Sequence, residues 1–147
     1  MKFISHRGNV KKKIKKLENK PSYINQALSL GYDIEVDVWY KNNNFYLGHD
    51  KPLYKISKKF LKNKKIWCHA KNIEALHELK KIKAIYFWHQ KDDYTLTSNG
   101  FFWTYPGIKP CKKSICVLPE WKGKKLLNQN IGGICSDLIF YYKKKFK

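Results

Sequence analysis

Residues 33–37 read Asp-Ile-Glu-Val-Asp. In an extended strand the three acids share one side, and Ile34, Val36 and Val38 share the other. The chain has only 11 acidic residues, and three of them stand in this row. Glu35 and Asp37, about 7 Å apart on one strand face, repel each other and resist burial. A divalent cation resolves both problems, and hard oxygen ligands suit Mg²⁺, Ca²⁺ or Mn²⁺. Neutralisation by lysines, which the chain has in plenty, is the alternative.

Four of the five histidines fall where a strand is expected to end or turn: His6, His49, His69 and His89. His77 lies in a helical stretch and reads as a surface residue. Any one of the four is accounted for as a packed or hydrogen-bonded ring. Together with an acidic pair they allow more, because two imidazoles flanking a phosphodiester can act as general base and general acid near neutral pH. Arg7 adds to this. It is the only arginine among 31 Lys+Arg, and a planar guanidinium fork grips phosphate in ways a lysine does not. Chance is the alternative for a lone arginine.

The elements that must position these groups follow from periodicity and punctuation. "KFIS" and "YDIEVDVWY" read as strands, and "NNNFYLGHD" as a hairpin with an Asn-rich turn. Ser22 to Gly31 reads as a helix capped by Ser22, with Tyr23, Ile24, Ala27 and Leu28 as its buried stripe. Ile56 to Leu61 is a weaker helix. "KIWCHA" is a strand, and Asn72 caps a helix with the stripe Ile73, Leu76 and Leu79. "AIYFWH", "GFFWTY", "SICVLP" and "GGICSD" are further short strands, and "YYKKKFK" is a half-ordered basic tail. Strands alternating with helices predict an α/β chain, a reduced or distorted TIM-like (β/α) barrel with about seven parallel strands. The strands end in polar residues, as at one face of such a barrel: Ser5-His6-Arg7, Asp37, His69 and Lys71, His89-Gln90, Thr104, Glu120 and Ser136-Asp137. Length fits one domain over 1–147, although it is well below the ~250 residues usual for that fold.

Composition narrows the function. Hydrophobic residues make up 43% and aromatics 16%, enough to bury a core. A net charge of +20 invites a polyanion, yet the lysines are spread along the chain and no nucleic-acid motif is present. Specific nucleic-acid binding is therefore not expected. Cys68, Cys111, Cys116 and Cys135 form no C-x-x-C pair or zinc spacing. With no signal peptide or membrane-length apolar run in view, a reducing cytoplasm is the expected compartment.

Four stretches, "HRGN", "LENKPSYINQAL", "DIEVDVW" and "LGHD", resemble in order and spacing the glycerophosphodiester phosphodiesterase family. "WTYP" and "GICSD" resemble the late strands of that family, with Ser136 where a threonine is usual. The resemblance implies a TIM-barrel phosphodiesterase using a divalent metal, Mg²⁺ or Ca²⁺. It implies His6 and His49 as the acid/base pair, Glu35 and Asp37 as metal ligands, and Arg7 and Lys71 as phosphate contacts. Glu18 and Asn19 would support the mouth, Asp50 completes the His-Asp motif, and Trp103 is a candidate wall of the substrate pocket. One departure stands out. In "CHAKN" His69 occupies the place of the family's third carboxylate, which turns metal preference toward Mn²⁺ or Zn²⁺. The implied substrate is a small-molecule phosphodiester or lipid headgroup, with weak contact to an anionic membrane surface. A phospholipase D-like activity on lysolipids and a non-catalytic headgroup-binding module are the competing readings.

Overall fold

The computed structural model describes residues 1–122 and 130–146. Ten strands form one mixed sheet: β1 Lys2–His6, β2 Asp33–Lys41, β3 Asn44–Leu47, β4 Tyr54–Ile56, β5 Ile66–Ala70, β6 Ile85–Phe87, β7 Tyr94–Leu96, β8 Phe102–Thr104, β9 Ser114–Val117 and β10 Gly133–Ser136. Among the described residues four short α-helices accompany them: α1 Pro21–Ser29, α2 Lys58–Leu61, α3 Ile73–Lys81 and α4 Ile139–Phe146. Parallel ladders run β6-β5-β2-β1-β10-β9-β8, while β3, β4 and β7 pair antiparallel.

The expected TIM-like barrel of alternating strands and helices is therefore incorrect. The protein is mostly β, and the connections explain why. From β8 to β9 the chain has only residues 105–113, fewer than the dozen or more that a helical crossover takes. From β6 to β8 the chain is used for β7, which returns antiparallel on β8. Among the described residues no ladder joins β6 to β8 or β7. The sheet nevertheless curls strongly, since Phe87 of β6 stacks on Trp103 of β8 with ring centroids 4.4 Å apart.

Period two divides the side chains into two clusters. Ile34, Val36 and Val38 of β2 pack outward with Ile24 and Ala27 of α1, Ala75 and Leu79 of α3, and Ile139 of α4. Ile4, Trp67, Phe87, Trp103, Ile115 and Cys135 meet on the inner face. Two helix details differ from expectation. Pro21 is the first residue of α1 and Lys20 its cap, because proline suits the first helical position, where its missing N–H costs nothing. In α3, Asn72 does cap, accepting from Ala75 N–H, but Ile73 is exposed and Ala75 takes the buried place. Tail residues 139–146 form α4; Lys147 lies outside the described residues. No helix among them is long and apolar enough to cross a membrane.

One feature of β2 positions the site. Its first residues pair with β1 (His6 opposite Glu35) and its last with β3 (Leu47 opposite Val38). Its other edge pairs with β5 through residues 34–38. β1 thus leaves the sheet at His6, beside Glu35, and β3 takes over the same edge beyond Asp37.

Candidate active site

Where β1 ends, the chain turns sharply. Arg7 and Gly8 both have positive φ, +56° and +95°. The turn is fixed by backbone bonds from Arg7 N–H to Glu35 O (3.0 Å) and from Asn9 N–H to His6 O (2.9 Å). A β-carbon at Gly8 would stand 2.7 Å from the Tyr23 ring, so close approach as well as φ demands glycine there. Asn9, wholly buried, ties the turn to its surroundings. Its amide donates to Glu18 Oε1 (3.0 Å) and Asp137 Oδ1 (2.8 Å), and its Oδ1 accepts from Ile14 N–H.

This framework fixes His6. Its Nδ1–H donates to Asp137 Oδ1 at 2.7 Å, leaving Nε2 toward Glu35 Oε2 at 3.9 Å. Arg7 reaches back across the turn, with Nη1 3.3 Å from Glu18 Oε2 and Nε 2.8 Å from Asp37 Oδ2. Asn19 holds Asp37 at two points: its amide donates to Oδ2 (2.9 Å), and its Oδ1 accepts from the Asp37 N–H (3.0 Å).

Glu35, Asp37 and His69 converge. His69 Nδ1 is 3.2 Å from Asp37 Oδ1 and 3.8 Å from Glu35 Oε1. The imidazole stacks on Phe87 at 5.1 Å and its Nε2 faces His89 O at 2.8 Å. A carbonyl only accepts, so Nε2 carries the hydrogen and, in the neutral ring, the Nδ1 lone pair points at the two carboxylates. Lys71 Nζ lies 3.6 Å from Asp37 Oδ1.

The two carboxylates sit in different electrostatic surroundings. Burial, then Asp37, pushes the Glu35 carboxyl up. Burial acts the same way on Asp37, but His69 with a hydrogen on Nδ1, Arg7 and Lys71 outweigh it and hold that group well below the carboxylate range. Glu35 Oε2 and Asp37 Oδ1 are buried and accept no hydrogen bond. Unsatisfied buried oxygens of this kind are costly. Each of Glu35, Asp37 and His69 offers a donor atom, and the three lie within 4.8 Å of one another. Buried oxygens without a hydrogen bond, the lone pair that the neutral His69 ring aims at them and this spacing fit a divalent metal. The imidazole beside two carboxylates suits Mn²⁺ or Zn²⁺ as well as Mg²⁺.

His49 arrives from the other side. Trp39 Nε1–H donates to Gly48 O (2.7 Å) and Gly48 N–H to Asp37 O (3.1 Å). A β-carbon at Gly48 would stand 2.1 Å from Lys51 O. This tight turn presents His49 beyond the end of β3. Its Nδ1 is 2.6 Å from Asp50 Oδ1, and both side chains are solvent-accessible. A cavity of about 280 Å³ has His6, Arg7, Glu35, His49, His69 and Lys71 in its wall, with Trp103 on its inner side. All eleven site residues named from sequence thus lie in or beside one region. Asp50 points most to solvent, Trp103 is mainly core, and Glu18 and Asn19 brace Arg7 and Asp37.

Two residues of the site received no role from sequence. Asp137, at the end of β10, orients His6 from 131 positions away. Its only signal was a polar residue ending a strand. Asn9 closes the "HRGN" stretch, which by itself gives it no role. His89 supplies the carbonyl that fixes His69 and rests its own Nε2 on Asp92 O at 2.8 Å. Comparison with protein-family models, curated proteins and solved structures yields no match.

Proposed function

We propose that the protein hydrolyses a phosphodiester, with Glu35, Asp37 and His69 holding a divalent metal and with His6 and His49 moving the protons. The observation that carries this reading is the convergence of a Glu35 and an Asp37 oxygen, both buried without a hydrogen bond, with the His69 Nδ1, at the wall of a cavity that Glu35, His69, His6 and His49 line. When bound, the metal supplies Lewis-acid polarisation of a phosphoryl oxygen. Lys71 and Arg7 add positive charge where negative charge builds. His6 is suited to be the base. Its Nδ1–H is held by buried Asp137, so Nε2 is free to take a proton and the resulting imidazolium is stabilised. The attacking oxygen, from water or from a hydroxyl of the substrate, gives its proton to His6 as the new P–O bond forms. His49, at the solvent side, gives a proton to the departing alcohol oxygen as the old P–O bond breaks. The motif resemblance favours a glycerophosphodiester, yielding an alcohol and glycerol 3-phosphate, directly when water attacks and, when the glycerol hydroxyl attacks, through a cyclic phosphate that water then opens.

The test is a panel of glycerophosphocholine, glycerophosphoglycerol and bis(p-nitrophenyl) phosphate, assayed with chelator and with Mg²⁺ or Mn²⁺ restored. Turnover that vanishes with chelator and returns with metal is expected for at least one diester. Binding of these compounds without any turnover would assign the site to headgroup recognition instead.

A further inference from the structure

The cavity holding the site opens into a second one of about 470 Å³, the two sharing His6, Arg7, His49, Leu118 and Trp121. Lys13, Lys15 and Lys51 stand in the wall of the second cavity only. They come from two segments far apart in sequence, the loop after β1 and the turn after β3. Among the described residues none of the three ammonium groups pairs with a carboxylate. The two carboxylates in that wall are already engaged, Glu18 by Arg7 and Asn9, and Asp50 by His49. Lys13 Nζ lies 5.7 Å over the Trp121 ring, and Trp121 and Leu53 expose apolar surface beside it, 56% and 52% accessible. Three exposed like charges facing one hollow, with its two carboxylates engaged elsewhere, make its potential favourable for an anion.

We propose that this hollow is a second anion subsite. The preferred substrate is then a phosphodiester that carries a further phosphate or carboxylate on the arm beyond the scissile phosphorus. Trp121 and Leu53 cover the carbon skeleton of that arm. The substrate preference rests on the phosphodiesterase reading; the anion subsite does not.

Two readouts test it, both on Lys13→Gln/Lys15→Gln/Lys51→Gln against wild type. A control variant, Lys58→Gln/Lys59→Gln/Lys62→Gln, removes the same charge from the exposed surface around α2. The first readout is turnover of a glycerophosphodiester whose alcohol is glycerol 3-phosphate, compared with glycerophosphocholine. Three partly screened contacts predict a loss of about tenfold or more in kcat/KM for the anionic arm, carried by KM, and less than about threefold for the cationic arm. The second is calorimetric binding of inorganic pyrophosphate in chelator, which should weaken by about tenfold or more in the triple variant and stay unchanged in the control. Equal pyrophosphate affinity in wild type and triple variant overturns the subsite. If pyrophosphate binding depends on the three lysines while wild type turns over no diester, the phosphodiesterase reading falls and the subsite stands.

Discussion

His6→Ala is expected to lower kcat by about 10²–10⁴, the usual worth of a positioned acid or base. KM should change little, because His6 meets the substrate mainly through the proton it takes. Asp137→Asn should give a smaller loss with the same signature. The carboxylate only accepts, which fixes the hydrogen on His6 Nδ1; a carboxamide can donate there and select the wrong tautomer. His49→Ala separates the two histidines. If His49 protonates the leaving oxygen, its loss is severe for a diester of an alkyl alcohol. It is slight for one that expels p-nitrophenolate, which leaves without a proton. Steady-state kinetics on the two substrates reads this directly. Near wild-type rates for both alanine variants, or equal losses of His49→Ala on the two leaving groups, would contradict the assigned roles.

Glu35→Gln is expected to act in opposite directions on activity and stability. Removing one carboxylate of the proposed metal set should lower metal-dependent turnover by about 10² or more, since Lewis-acid stabilisation contributes several kcal/mol. The metal-free fold should gain about 1–2 kcal/mol at pH 8, a size typical of relieving a strained functional group. The pH dependence fixes the sign. Burial and the neighbouring Asp37 raise the Glu35 carboxyl above its ordinary 4.5, so the folded chain holds that proton more tightly than the unfolded chain. Metal-free stability therefore falls as pH rises from about 4.5 through the raised value, and glutamine removes that fall. Urea unfolding in chelator at pH 5 and pH 8 checks it. The advantage of the variant should be small at pH 5 and clear at pH 8. A variant less stable than wild type at both values would mean that Glu35 is satisfied by something other than a cation.

Much of the site was legible because it is local. Alternation along 33–38 told which way Glu35 and Asp37 face, and the structure puts Ile34, Val36 and Val38 in the helix-covered core as that parity requires. Gly8 and Gly48 punctuate two turns whose neighbours, His6-Arg7 and His49-Asp50, carry the chemistry. What was not legible depends on distance in the chain. The His6–Asp137 bond joins the first strand to the last, and no period reports such a pair. The overall architecture failed for a related reason. Polar strand ends and parallel strands imply a covered, repeating barrel only if each connection has room for a helix, and residues 105–113 do not. Tyr54–Ile56 and Tyr94–Leu96, missed as strands, are three-residue segments. Their pairing partners define them more than their own pattern does. Ile73 misled because hydrophobicity favoured it for the buried stripe, while the cap at Asn72 set the phase of α3 and turned it outward.

The most direct measurement is an anomalous difference map from crystals grown or soaked with Mn²⁺. A single strong peak within bonding distance of Glu35, Asp37 and His69 Nδ1, inside the cavity that His6 and His49 line, is the result expected here. A map with no peak among those three side chains, under Mn²⁺ concentrations that support turnover, would contradict it.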